Sequence, residues 1–142
     1  MKIAFGADHG GFQLKNYLLK ALAAESHIVL DMGTSSAESV DYPDFARQVA
    51  RAVASGEAER GVLVCRTGQG MCIAANKISG ARAAHGYNPE ATRLSRMHND
   101  ANILCFGADF ISEEDALRNL HIWLDTEFEG GRHQRRVSKI EQ

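Results

Sequence analysis

A chain of 142 residues, 44% of them hydrophobic, is long enough to bury one sizeable core and too short for a second. Sixteen lysines and arginines against eighteen aspartates and glutamates leave a formal net charge of −2, which supplies no basic field for nucleic acid or for an anionic membrane. No apolar run approaches the roughly 20 residues that cross a bilayer, and Met1-Lys2-Ile3 leads straight into a strand pattern, so a soluble cytoplasmic protein is expected.

Short β-branched or apolar runs alternate along the chain with segments of helical length. Ile3 to Asp8 reads as the first strand and runs into the turn Asp8-His9-Gly10-Gly11. Phe12 to Ala24 follows, with Leu14, Leu18 and Leu22 at helical spacing. His27 to Gly33 is the second strand. After the loop TSSAESVDYP, Pro43 stands in the first turn of a helix whose buried face is Phe45, Val49 and Val53. The third strand, Val62 to Cys65, gives way to the turn CRTGQG and a short helix over 71–78. Ala81 to Gly86 reads as the fourth strand, 90–97 as a helix, and Asn102 to Asp109 as the fifth strand. A helix over 112–128 has Ser112 and Asp115 at capping-box spacing and buries Leu117, Leu120 and Leu124. Gly130 and Gly131 stop it before a basic tail, 130–142, with room for one more helix.

Strands separated by helices predict an α/β fold: a three-layer αβα sandwich around a Rossmann-like, five-stranded parallel sheet, in one domain. A ligand crevice is then expected beyond the carboxyl ends of the strands. The unusual residue types follow strand ends, in ADHGG, TSSAESVDYP, CRTGQG and GADF.

In CRTGQG, Gly68 and Gly70 let backbone N–H groups converge at a helix start, an arrangement that suits an oxyanion or phosphate and equally suits a tight strand-to-helix connection. The turn lacks the spacing of a nucleotide-binding P-loop, and ADHGG lacks that of a dinucleotide site. Cys65 adds chemistry: a thiol at a strand end, facing a helix N-terminus and beside Arg66, has the surroundings of a reactive cysteine that serves as base or nucleophile. Cys72 and Cys105 read as small buried hydrophobes, and three cysteines without a C-x-x-C pair argue against a disulfide framework or structural zinc. His9 and His98 are candidate acid/base partners. Arg132 and Arg136, four apart, share a face if the tail is helical, which fits a phosphate or a solvated basic surface. Asp8, His98 and Asp100 form no dense metal-ligand motif, so no metal is expected.

The stretches DHGGFQLK, DYPDFA, C-x-TG-x-G followed by IAANK, LSRMHNDANIL and EGGRHQRRV, in this order, resemble the ribose-5-phosphate isomerase B family, which includes galactose-6-phosphate isomerase subunits; the match runs from Met1 to about Val137. The resemblance implies an aldose–ketose isomerase of a sugar phosphate that works through a cis-enediolate without metal or organic cofactor. It also implies a homodimer or homotetramer with sites between subunits. By the same resemblance Cys65 is the base that moves the proton between C2 and C1, the backbone from Thr67 through Gly68 and Gln69 to Gly70 stabilises the enediolate oxygen, and Thr67 relays a proton. His98 opens the furanose ring, Asp8, Tyr42 and Asn99 hold sugar hydroxyls, and His9, Arg132 and Arg136 contact phosphate. Two positions depart from the family pattern: Arg66 stands where a glycine is usual, and Asp109 where an arginine usually meets phosphate. Asp109 would repel that phosphate unless it turns outward or pairs with an arginine such as Arg132. A re-tuned pocket is therefore expected, with the phosphate moved toward Arg66 or a substrate of different length or stereochemistry.

Overall fold

The computed structural model describes residues 1–141. Its centre is a sheet of five parallel strands, β1 (Lys2–Ala7), β2 (Ile28–Asp31), β3 (Arg60–Cys65), β4 (Ala83–His85) and β5 (Ile103–Gly107), in the order β2-β1-β3-β5-β4. Successive side chains of a strand point to opposite faces, and the sequence gives both faces apolar residues. Ile3, Phe5, Ala7, Val62, Val64, Leu104 and Phe106 pack against α1 (Phe12–Ala24) and α5 (Glu113–Leu124). Ala4, Leu63, Cys65, Ile103 and Cys105 pack against α2 (Tyr42–Ala54) and α3 (Gln69–Ala75). Two helical layers thus enclose the sheet, as the alternating pattern predicted. α4 (Pro89–Asn99) lies beside α5 and supports the short α6 (Arg132–Ser138).

Boundaries differ from the sequence reading where side chains take over backbone bonds. β4 is only three residues long instead of 81–86, because the Arg82 N–H donates to Asn102 Oδ1 at 2.8 Å and leaves the ladder. α5 ends at Leu124 instead of 128: Thr126 Oγ1 bonds the Ile122 carbonyl at 2.6 Å, and the Glu129 N–H reaches Met97 on α4. Half of the capping box forms. Ser112 Oγ accepts from the Asp115 N–H at 3.1 Å, but the Asp115 carboxylate pairs with Arg118 at 2.7 Å instead of reaching back. The assigned β2 is shorter than 27–33, although Met32 and Thr34 still donate to β1 carbonyls.

Two features place the site. The chain leaves β1 toward β2 on one side and returns to β3 on the other, so the carboxyl ends of β1 and β3 part to leave a crevice at the point where strand order reverses. On α1, fully buried Lys15 donates from Nζ to Asp31 Oδ1 and to the Thr34 carbonyl, both at 2.7 Å. A buried ammonium is costly unless paired, so these bonds pin the end of β2 and fix where the loop 34–41 crosses the crevice.

Candidate active site

The crevice gathers the residues that follow β1, β2 and β3. Cys65 is the last residue of β3 and is buried; its Sγ accepts a hydrogen bond from the Gly68 N–H at 3.2 Å. That closure depends on Gly68 adopting φ +78, a left-handed conformation that glycine takes without a Cβ penalty. The Gln69 N–H donates to Thr67 Oγ1 at 3.3 Å, and α3 begins there, its first turn lacking intrahelical acceptors. Tyr42, at the start of α2, lays its ring over Gly70: a Cβ at that glycine would stand 2.7 Å from two ring carbons. The loop after β2 thereby reaches the turn that follows Cys65.

From the β1 side, buried Asp8 accepts the Gly11 N–H at 3.1 Å, and its own N–H bonds the Val64 carbonyl of β3 at 3.2 Å. His9 Nδ1 accepts from the Val40 N–H at 3.2 Å, which puts the ring proton on Nε2 and leaves that N–H as the free donor. Arg66 takes an ordinary backbone conformation, since Ser26 and Asp100 are the only non-glycine residues with positive φ among the described residues. Its partner is Asp109, with Nη1 and Oδ2 3.6 Å apart, and not the pairing with Arg132 that the sequence left open.

His98, Asn99, Arg132 and Arg136 lie elsewhere. α4 starts beyond the carboxyl end of β4 and runs back, so its last turn sits at the amino edge of the sheet. There the Asp100 carboxylate receives Arg96 at 2.7 Å and Arg82 at 3.2 Å, and the carbonyl of Asn102, just before β5, accepts from Gly61 at the start of β3. Strands of five and six residues at about 3.3 Å each set the two edges roughly 15–20 Å apart. Within one chain, then, Cys65 and His98 are not brought together. Asp8, His98 and Asp100 likewise share no site, and Asp100 is a structural clamp.

The amino edge has an arrangement that the sequence did not single out. Buried His133 of α6 stacks on His98 of α4, ring centroids 4.3 Å apart and planes 11° from parallel. Burial, then the charges of His98 and Arg132, hold the His133 ring below its ordinary value. His133 Nε2 lies 3.2 Å from Glu129 Oε2 without the alignment of a hydrogen bond. Ligand atoms of His98, Glu129 and His133 fall within 4.8 Å of one another. Imidazole lone pairs lie in the ring plane, however, and those of near-parallel stacked rings do not converge on one ion; the group is a stack, not a chelate. Arg132 and Arg136 lie on an exposed flank of α6, about a quarter-turn from His133 and Val137. Periodicity carried a signal for His133: in GGRHQRRV, positions 133 and 137 share one helical face as surely as 132 and 136 share another.

The remaining cysteines are buried, as expected. Cys72 Sγ bonds the Ala83 carbonyl at 3.3 Å. Hydrogen bonding with Cys72 and complete burial push the Cys105 thiol well up, and the same bond draws Cys72 down.

A family model described as Ribose/Galactose Isomerase matches residues 3–140. The chain belongs to this family. It is 49% identical to ribose-5-phosphate isomerase B of Escherichia coli over 98% of this chain and 93% of that one. It is 47% identical to a putative sugar phosphate isomerase of Bacillus subtilis over 99% and 95%. Among solved structures, ribose-5-phosphate isomerase B of Clostridium thermocellum superposes with a TM-score of 0.98 at 50% identity, covering 99% of this chain and 95% of that one. The Mycoplasma genitalium enzyme with bound ribulose 5-phosphate superposes at 0.95 and 37% identity, covering 99% and 93%.

Proposed function

We infer that this isomerase interconverts ribose 5-phosphate and ribulose 5-phosphate in a site assembled from two copies of the chain. The observation that carries the reading is the Cys65 turn at the strand-order reversal, where a sulfur, backbone N–H groups and a tyrosine ring converge on one crevice. Cys65 takes the proton from C2 of the open-chain aldose and returns it to C1. The negative charge that develops on the enediolate oxygens faces the backbone turn from Thr67 to Gly70, in which the Gly68 and Gln69 N–H groups rest on Cys65 Sγ and Thr67 Oγ1. Thr67 relays the proton between O1 and O2, and Asp8 and Tyr42 hold hydroxyls. His9 donates to the phosphate.

Family membership supports the second copy, and so does the split between edges. In a two-fold dimer the carboxyl edge of one chain meets the amino edge of its partner, and both sites are completed at once. The partner then contributes its counterpart of His98 for ring opening, of Asn99 for a hydroxyl, and of Arg132 and Arg136 for the phosphate. The tail from Gly130 onward serves both site and assembly; Gln142 lies outside the described residues.

Solvent deuterium exchange into C1 or C2 tests the reading across ribose, allose, galactose and erythrose phosphates. Exchange is expected to be fastest with ribose 5-phosphate; no exchange with any member would leave a sugar-phosphate-binding subunit in place of an enzyme. Fastest exchange with a tetrose or hexose phosphate would instead tie the Arg66–Asp109 pair to a changed substrate. Sedimentation at working concentrations tests the assembly, and an active monomer would overturn the shared site.

A further inference from the structure

Arg66 and Asp109 are placed together by the backbone. Beyond the ends of β3 and β5 the ladder continues, with the Ala108 N–H on the Cys65 carbonyl at 2.9 Å and the Asp109 N–H on the Arg66 carbonyl at 3.0 Å. The stem of Arg66 then crosses the β1 turn at Gly10, where a Cβ would meet Arg66 Cγ at 2.6 Å and stand 3.4 Å from Nε. Glycine at that position leaves the path open, and the guanidinium emerges beside a cleft of about 220 Å³ with Gly10, Gln13, Ala108 and Asp109 in its wall.

The ion pair itself is loose. Its 3.6 Å separation exceeds a hydrogen bond, and the two side chains are 65% and 47% exposed. Arg96, by contrast, is buried and bonded to both Asp100 and the Ala101 carbonyl at 2.7 Å. Among the described residues the Arg66 guanidinium donates no hydrogen bond, so its fork of N–H groups remains open to an anion one residue from Cys65. A phosphate dianion engages such a fork bidentately and outcompetes a single long carboxylate contact.

We propose that Asp109 tunes the affinity of this isomerase for its substrate: it is the internal anion from which the substrate's phosphate takes Arg66. The inference rests on the reading that the carboxyl-edge crevice holds the sugar phosphate. Separating the pair costs every incoming anion the same free energy, so Asp109 weakens the hold of Arg66 on the phosphate by a fixed factor.

The test is a double-mutant cycle on the intact protein with Asp109→Asn, Arg66→Gln and both together. It reads KM for ribose 5-phosphate and the competitive inhibition constant of inorganic phosphate. Asp109→Asn is expected to lower both about two- to five-fold at low salt, as befits an exposed pair, with the gain shrinking as salt rises. In the Arg66→Gln background the same change should alter neither. If Asp109→Asn has no effect, or an equal effect with and without Arg66, the role of Asp109 is overturned while the site reading stands. A wild-type protein that turns over no sugar phosphate would overturn both.

Discussion

The two edges of the sheet solve different problems with different materials. At the carboxyl edge, position comes from the backbone: a left-handed glycine closes Gly68 onto Cys65, and ring and stem cross Gly70 and Gly10 where a methyl group would not fit. At the amino edge it comes from long side chains, in the Arg82–Asp100–Arg96 clamp and the His98–His133 stack. On the proposed reading, the enediolate charge meets a turn of backbone whose place is set by the sheet. Holding a phosphate and opening a ring tolerate groups that approach from outside. The fold class accounts for the first edge by itself; in the proposed assembly the second would take a catalytic role only through another chain.

Mixing experiments strike hardest at this division. Cys65→Ala should lower turnover by about 10²–10⁴-fold, the usual loss of a general base, and His98→Asn should slow cyclic substrates more than open-chain ones. In an equal mixture of the two variants, half the dimers are mixed and each of those has one unaltered site, so about a quarter of wild-type activity returns. Activity no greater than the sum of the separate variants would place Cys65 and His98 of one chain in the same site.

A smaller effect is expected at Gly70. Its φ is ordinary, so alanine is tolerated by the backbone and the added methyl displaces the Tyr42 ring instead. KM should rise about three- to ten-fold, the worth of one hydrogen bond, with little change in urea unfolding. In a Tyr42→Ala background the same substitution should add nothing to KM; a further rise would mean that the ring is not what Gly70 accommodates.

His133 sharpens the account of the amino edge. Its folded value lies below the ordinary one, so the unfolded chain binds the proton more readily. Stability is therefore independent of this ring above about pH 6.5 and falls as pH drops through that value toward the lowered folded one. Denaturant titrations across this window should show that slope, and His133→Gln should flatten it. An unchanged slope would remove His133 as its source.

Smallest of all is Cys72→Ala, which should leave kcat/KM within about two-fold of wild type, like most changes away from a site. A loss approaching that of Cys65→Ala would move the reactive sulfur onto α3.

Much of this was legible in the chain. Apolar runs that face helices on both sides, as in Val62 to Cys65, announced a parallel sheet, and the glycine turn after Cys65 marked a strand end that borders the crevice. The distance between Cys65 and His98 was not legible, because proximity in a parallel sheet depends on which end of a strand each connection meets, and motif order is silent about that. Nor was the partner of Asp109: its register opposite Arg66 follows from β3 pairing with β5, two strands far apart in sequence. The inward place of His133 depends on the packing of α6 on α4, which the arginine-rich pattern of GGRHQRRV does not encode.

That helix has one more consequence. Arg132 and Arg136 are exposed while His133 and Val137 are buried, so in the proposed site a grip on the phosphate by the arginines would also steady the ring stacked on His98 within. The phosphate would then be a remote handle whose binding energy is used at the reacting end of the sugar. A pentose stripped of it would not merely bind weakly; once bound it would react slowly, and no concentration of the free sugar would restore the rate.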